Sequence, residues 1–88
     1  MVQGKNRSDN EVIADANKVL TKVREKTNEN QLYPGPILPF IISLQFPGSY
    51  AKRLSRILHT QGFIKFRRGG KRGQTFTEVK STGKVTRV

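Results

Sequence analysis

Arg53 and Arg56 stand three residues apart in a stretch, residues 49–61, that reads as an amphipathic helix, so their guanidinium groups share one exposed face. A guanidinium offers two parallel N–H donors that fit the O6 and N7 acceptors of guanine, while Lys52 beside them is a compact charge better suited to a phosphate. Ser49 and Tyr50 fall where that helix starts, within reach of a phosphate oxygen through hydroxyls and free helix-end amides. His59, farther along, is a candidate backbone contact, although a lone histidine also serves as a plain solvated residue. A second cationic group, Arg67, Arg68, Lys71 and Arg72, surrounds a glycine-rich segment. Glycine allows close approach, so these side chains suit a narrow groove or its flanking phosphates. The plainer reading of that segment is a charged turn that keeps the chain in solution, but its tip contains no carboxylate to neutralise the four cations.

The charge is one-sided. Residues 1–48 carry six Lys and Arg against five Asp and Glu, whereas residues 49–88 carry eleven against one, within a total of +11. A surface this positive repels itself, which makes a polyanion its natural partner, and nucleic acid is the commonest in a cell.

Catalytic chemistry finds little to work with. The chain has one histidine, six carboxylates and no cysteine, which excludes disulfides and thiolate metal sites. Asp9, Glu11, Asp15, Glu25 and Glu29 are spread through the first half without forming an acid–base pair or a ligand cluster. No GxSxG occurs, and RGGKRGQT lacks the glycine spacing of a Walker loop. The expectation is a protein that is not an enzyme and takes no cofactor. At 88 residues it has room for one small core, and with 34% hydrophobic residues part of it is expected to remain unstructured. The polar amino terminus lacks the apolar stretch of a secretory signal, and the longest apolar run, residues 37–46, is far short of a membrane span. An intracellular protein with no membrane partner is expected.

The elements that must position the cations follow from periodicity and stop signals. Residues 1–7 read as a disordered basic arm, residues 8–79 as the domain and residues 80–88 as a flexible basic tail. Ser8 and Glu11 form a capping-box pattern, and Val12, Ile13, Ala16, Val19, Leu20 and Val23 recur at helical spacing, predicting a helix over residues 9–26. Its apolar stripe reads as core; the 4-3-4 spacing of Val12, Ala16, Val19 and Val23 also permits a homodimer seam. Residues 27–36 read as a loop and residues 38–45 as a short buried helix with Pro39 in its first turn. Ser49 is the expected N-cap of a third helix whose Ala51, Leu54, Ile57 and Leu58 face inward, and Gly62 is its expected stop. Residues 63–67 and 75–79 read as two strands joined by the glycine-rich tip, and Phe63, Phe66 and Phe76 as core packing in preference to a base-stacking platform.

This order of elements resembles winged helix-turn-helix domains, and the stretch that carries the likeness is SYAKRLSRILHTQGFIKFRRGGKRGQTFTEV, residues 49–79. It is a likeness of residue types over about half of the chain. The Pro-Gly-Pro entry to the second helix departs from the commonest form. The resemblance implies an α+β fold of three helices and a two-stranded hairpin wing. It also implies a protein of regulatory or accessory type that binds double-stranded DNA, with the third helix in the major groove and the wing on the minor groove or backbone. Two rivals remain: an RNA-binding protein, since winged helices also occur in ribosomal proteins, and an interaction protein whose basic face docks on an acidic partner.

Overall fold

Ser8 opens the first helix as a reciprocal cap. The Glu11 N–H donates to Ser8 Oγ at 3.2 Å and the Ser8 N–H donates to Glu11 Oε1 at 2.9 Å, satisfying two donors that the first turn leaves free. In this computed structural model, which describes residues 7–27, 29–69 and 73–88, the helix α1 spans Asp9–Arg24 and buries Val12, Ala16, Val19, Leu20 and Val23. The apolar stripe is thus buried in the core of the chain's own fold.

The remaining elements are β1 (Leu32–Pro34), α2 (Ile37–Ser43), α3 (Gly48–Thr60), β2 (Ile64–Arg68) and β3 (Thr75–Val79). Three helices pack with a three-stranded antiparallel sheet in the order β1-β3-β2, an α+β arrangement compatible with the expected class. The sheet corrects the expected two-stranded wing, because β1 lies within the segment read as loop. With only three residues, the last a proline, β1 shows no alternation and cannot donate along its whole length, so it forms an edge that pairs with β3 alone.

Pro36 precedes α2, and Pro39 falls in its first turn, where a missing N–H costs nothing; Ile37 and Ile41 face the core. The start of α3 differs from expectation. Pro47, with ψ 150°, holds the cap position, and its carbonyl accepts the first helical bond from the Ala51 N–H at 2.8 Å. Ser49 thus lies inside the first turn and does not cap. The other end follows the sequence: Gly62 adopts φ +83° and donates to the His59 carbonyl, while the Phe63 N–H donates to the Leu58 carbonyl at 2.9 Å. This two-bond closure needs the left-handed conformation that glycine tolerates.

Tyr50 also departs from its assignment to the exposed face. It is 2% exposed, and its hydroxyl donates to Asp15 Oδ2 at 2.6 Å. Arg7 closes the cluster: its Nη1 lies 3.1 Å from the same carboxylate oxygen, and its guanidinium carbon sits 4.1 Å from the Tyr50 ring centroid. Arg7 therefore belongs to the fold, and the other six residues of the expected arm lie outside the described residues. Burial first, then the bond to Asp15 and its charge, push the Tyr50 phenol above the ordinary tyrosine range. A folded chain that holds this proton more tightly than the unfolded chain has its full stabilisation below about pH 10 and loses it as pH rises further. Tyr50→Phe should cost about 1–2 kcal/mol at neutral pH. Urea unfolding of the two proteins should show that gap narrowing at alkaline pH.

Residues 80–88, expected to fray, are instead laid across the helices. Val85 is 1% exposed, and the Asn17 carboxamide holds it by both backbone groups: the Val85 N–H donates to Asn17 Oδ1 at 2.7 Å and Asn17 Nδ2 donates to the Val85 carbonyl at 2.9 Å. Arg24 donates through Nε to the Lys80 carbonyl at 2.8 Å and through Nη2 to the Thr82 carbonyl at 2.7 Å. Gly83 sits at φ +88°, where a Cβ would meet the Phe63 ring at 3.3 Å, so a side chain at this turn of the strap would be both strained and crowded.

Candidate nucleic-acid interface

One face of α3 stays uncovered because the opposite face holds Tyr50, Ala51, Leu54 and Leu58 in the core. At 100° per residue, Arg56 lies near the middle of the exposed face, with Arg53 and Thr60 to one side and Lys52 and His59 to the other. Ser49, Lys52, Arg53, Arg56 and His59 are all exposed, and α3 contains no carboxylate. The helix thus brings together five of the sequence-predicted residues as one cationic and polar surface; Tyr50 is the one it turns inward.

Shallow grooves flank this surface. One, of about 350 Å³, is bounded by Leu38 of α2 and by Lys52, Ser55, Arg56, His59 and Thr60. On the other flank, a groove of about 290 Å³ is bounded by Arg56, Ile57, Thr60, Gln61, Arg87 and Val88. The second exists because Gln61 Nε2 donates to the Arg87 carbonyl at 2.8 Å, which brings the end of the chain beside α3. Arg87 is therefore a cation of this surface that the sequence reading assigned to a loose tail.

The hairpin divides its cations between two faces. Pairing of Ile64 with Val79, Phe66 with Thr77 and Arg68 with Thr75 puts these side chains on the face that turns toward α3, by strand alternation. Lys65 and Arg67 fall on the other face, where Arg67 Nη1 donates to Glu78 Oε1 at 2.8 Å. Arg67 is thus already paired, and by strand alternation it lies on the face opposite to that of Arg68. Glu78 is diagonal to Arg67 in the register, so the pairing was open to discovery by counting across the hairpin. The neck is closed by the Gly69 N–H donating to the Gln74 carbonyl at 2.8 Å. Lys71 and Arg72 lie outside the described residues.

Phe66 also differs from expectation. It was expected in the core with Phe63 and Phe76; those two are partly covered, but Phe66 is 47% exposed. Its ring borders a cleft of about 160 Å³ between β2, α2 and α3, shared with Ile37, Leu38, Ser55, His59 and Ile64.

Among the described residues, no group of three or more His, Asp or Glu side chains is placed to hold a metal ion. Among the same residues, no helix is long and apolar enough to cross a membrane. The chain matches no protein-family model, no curated protein and no solved structure.

Proposed function

We propose that this chain is a winged-helix protein that binds double-stranded DNA, as a regulator or an accessory factor, with α3 in the major groove and the β2–β3 hairpin on the minor groove or the backbone. One observation carries the reading: the exposed face of α3 presents Lys52, Arg53, Arg56 and His59 with no carboxylate among them. A single helix fits the width of the major groove, and its free cations have no competing anion on their own element. Arg68 and Arg87 extend the positive surface at the two sides of α3.

Roles within the surface separate by chemistry. Arg56, near the centre of the face, is the candidate for bidentate contact with a guanine edge, and Lys52 on its flank is the candidate for a phosphate. Arg56→Ala should relax discrimination at one base position by about 1–3 kcal/mol, while Lys52→Ala should weaken all sequences alike and lower the salt slope by about one. Electrophoretic shifts on selected and random duplexes, with structured RNA of equal charge as competitor, test this directly. Uniform losses from both substitutions overturn the major-groove assignment, and preferential displacement by RNA overturns DNA as the partner.

A further inference from the structure

The cleft beside Phe66 has a composition unlike that of an ordinary surface dent. Its floor and walls are apolar or neutral, from Ile37, Leu38, Ile64 and the Phe66 ring, with His59 and Ser55 at the α3 side. It shares Leu38, Ser55 and His59 with the neighbouring groove, and that adjoining groove carries Lys52 and Arg56. Strand alternation puts Arg68 on the same face as Phe66. Among the described residues, no carboxylate lines either groove.

An isolated exposed phenylalanine needs no explanation, but one that borders a cleft adjoining a groove with exposed positive charge is matched by a particular kind of ligand. That ligand has a flat, apolar face and an anionic connection on its edge. A nucleotide has both, since every base offers a π-face for stacking and every linkage a phosphate. Bases inside a duplex have their faces covered by their neighbours, so the occupant must be a base outside the stack. We propose that Phe66 and the cleft between β2 and α3 hold an unpaired nucleobase that continues from the duplex lying on α3. The base stacks on the Phe66 ring, and its flanking phosphates meet Lys52, Arg56 or Arg68. The inference rests on the duplex reading and adds a preference for junctions between double and single strands.

The test compares a blunt duplex with one of equal phosphate number that carries a short overhang containing 2-aminopurine. The wild-type chain should bind the overhang form about 5- to 100-fold more tightly, with quenching of the 2-aminopurine fluorescence as the base stacks. Phe66→Ala should abolish both the advantage and the quenching, so that the overhang and blunt duplexes bind equally. Phe66→Tyr should retain them. Phe66→Leu keeps an apolar surface without a π-system and should lose them; a leucine variant that keeps the full advantage points to an apolar peptide-like ligand and overturns stacking. Equal binding of the two duplexes by the wild type overturns the junction proposal and leaves the duplex reading standing. Binding of the single strand alone, dependent on Phe66 and without any duplex affinity, overturns the duplex reading and keeps the stacking site. Thermal melting of each variant shows whether it is folded, and Phe66 is exposed enough that all three should be.

Discussion

Raising monovalent salt from about 50 to about 200 mM should weaken duplex binding by about three to four orders of magnitude. The number follows from counting cations that are free to meet phosphates. Lys52, Arg53, Arg56, Arg68, Lys84 and Arg87 are exposed, and Lys71 and Arg72 add two more by sequence. Arg67 is held by Glu78, Arg24 by two backbone carbonyls and Arg7 by Asp15, so these three contribute little. Neutralisation of about five to eight phosphates gives a slope of log affinity against log salt of roughly −5 to −7, because each neutralised phosphate releases condensed counterions. Fluorescence anisotropy across a salt series reads the slope directly. A value near −1 or −2 would mean that the positive surface does not meet a duplex as one body, and the proposed function would fail with it. An acidic protein partner is discriminated by a shallower salt dependence in the same series, and by binding that persists after nuclease treatment.

The parts of this fold that could be read from sequence are those held by local bonds. The capping box of α1 joins residues three apart, and the closure of α3 at Gly62 is complete within six residues. The two longer strands were visible from their β-branched and aromatic content on either side of a glycine-rich tip. What escaped depends on partners far along the chain. Tyr50 has an apolar ring and a polar hydroxyl: its spacing to Leu54 and Leu58 puts the ring on the inward face of α3, but the partner that satisfies the hydroxyl there, Asp15, is 35 residues away. The three residues of β1 are recruited by β3, more than forty positions later, and are too few to show a period of their own. Phe66 had the right residue type and alternation for a core position. It stays open because only Ile64 of β2 is buried, and at Phe66 the helices α2 and α3 leave a cleft beside the strand, a matter of packing that no pattern encodes. Of the candidate site, the α3 cations were legible because an amphipathic helix with one apolar face has only one other face to show. The faces of the hairpin were less so, since a one-residue change in register exchanges them.

The bonds between Asn17 and Val85, 68 residues apart, provide the sharpest stability test. Val85→Asp should destabilise the chain by at least about 3 kcal/mol, since it puts an unpaired carboxylate into a site that is 1% exposed. For a domain of this size that lowers the melting temperature by more than about 12 °C. The neighbouring Thr86→Asp adds the same charge at an exposed position and should stay within about 0.5 kcal/mol of the parent. Asn17→Ala should fall between the two, because it leaves the Val85 N–H and carbonyl without the side chain, 68 residues away, that satisfies both. A frayed tail predicts that all three substitutions are neutral, whereas a docked strap predicts the order Val85→Asp, Asn17→Ala, Thr86→Asp. The strap also sets where Arg87 stands, through the Gln61 bond to its carbonyl. Detaching it should therefore remove one cation from the α3 surface as well as uncover the core. In a nucleic-acid-binding chain, Asn17→Ala should then reduce the salt slope by about one at a temperature where the variant is still folded. That joint change in melting temperature and salt slope ties the carboxyl-terminal strap to the binding face, an outcome that neither a purely structural strap nor a loose basic tail would produce.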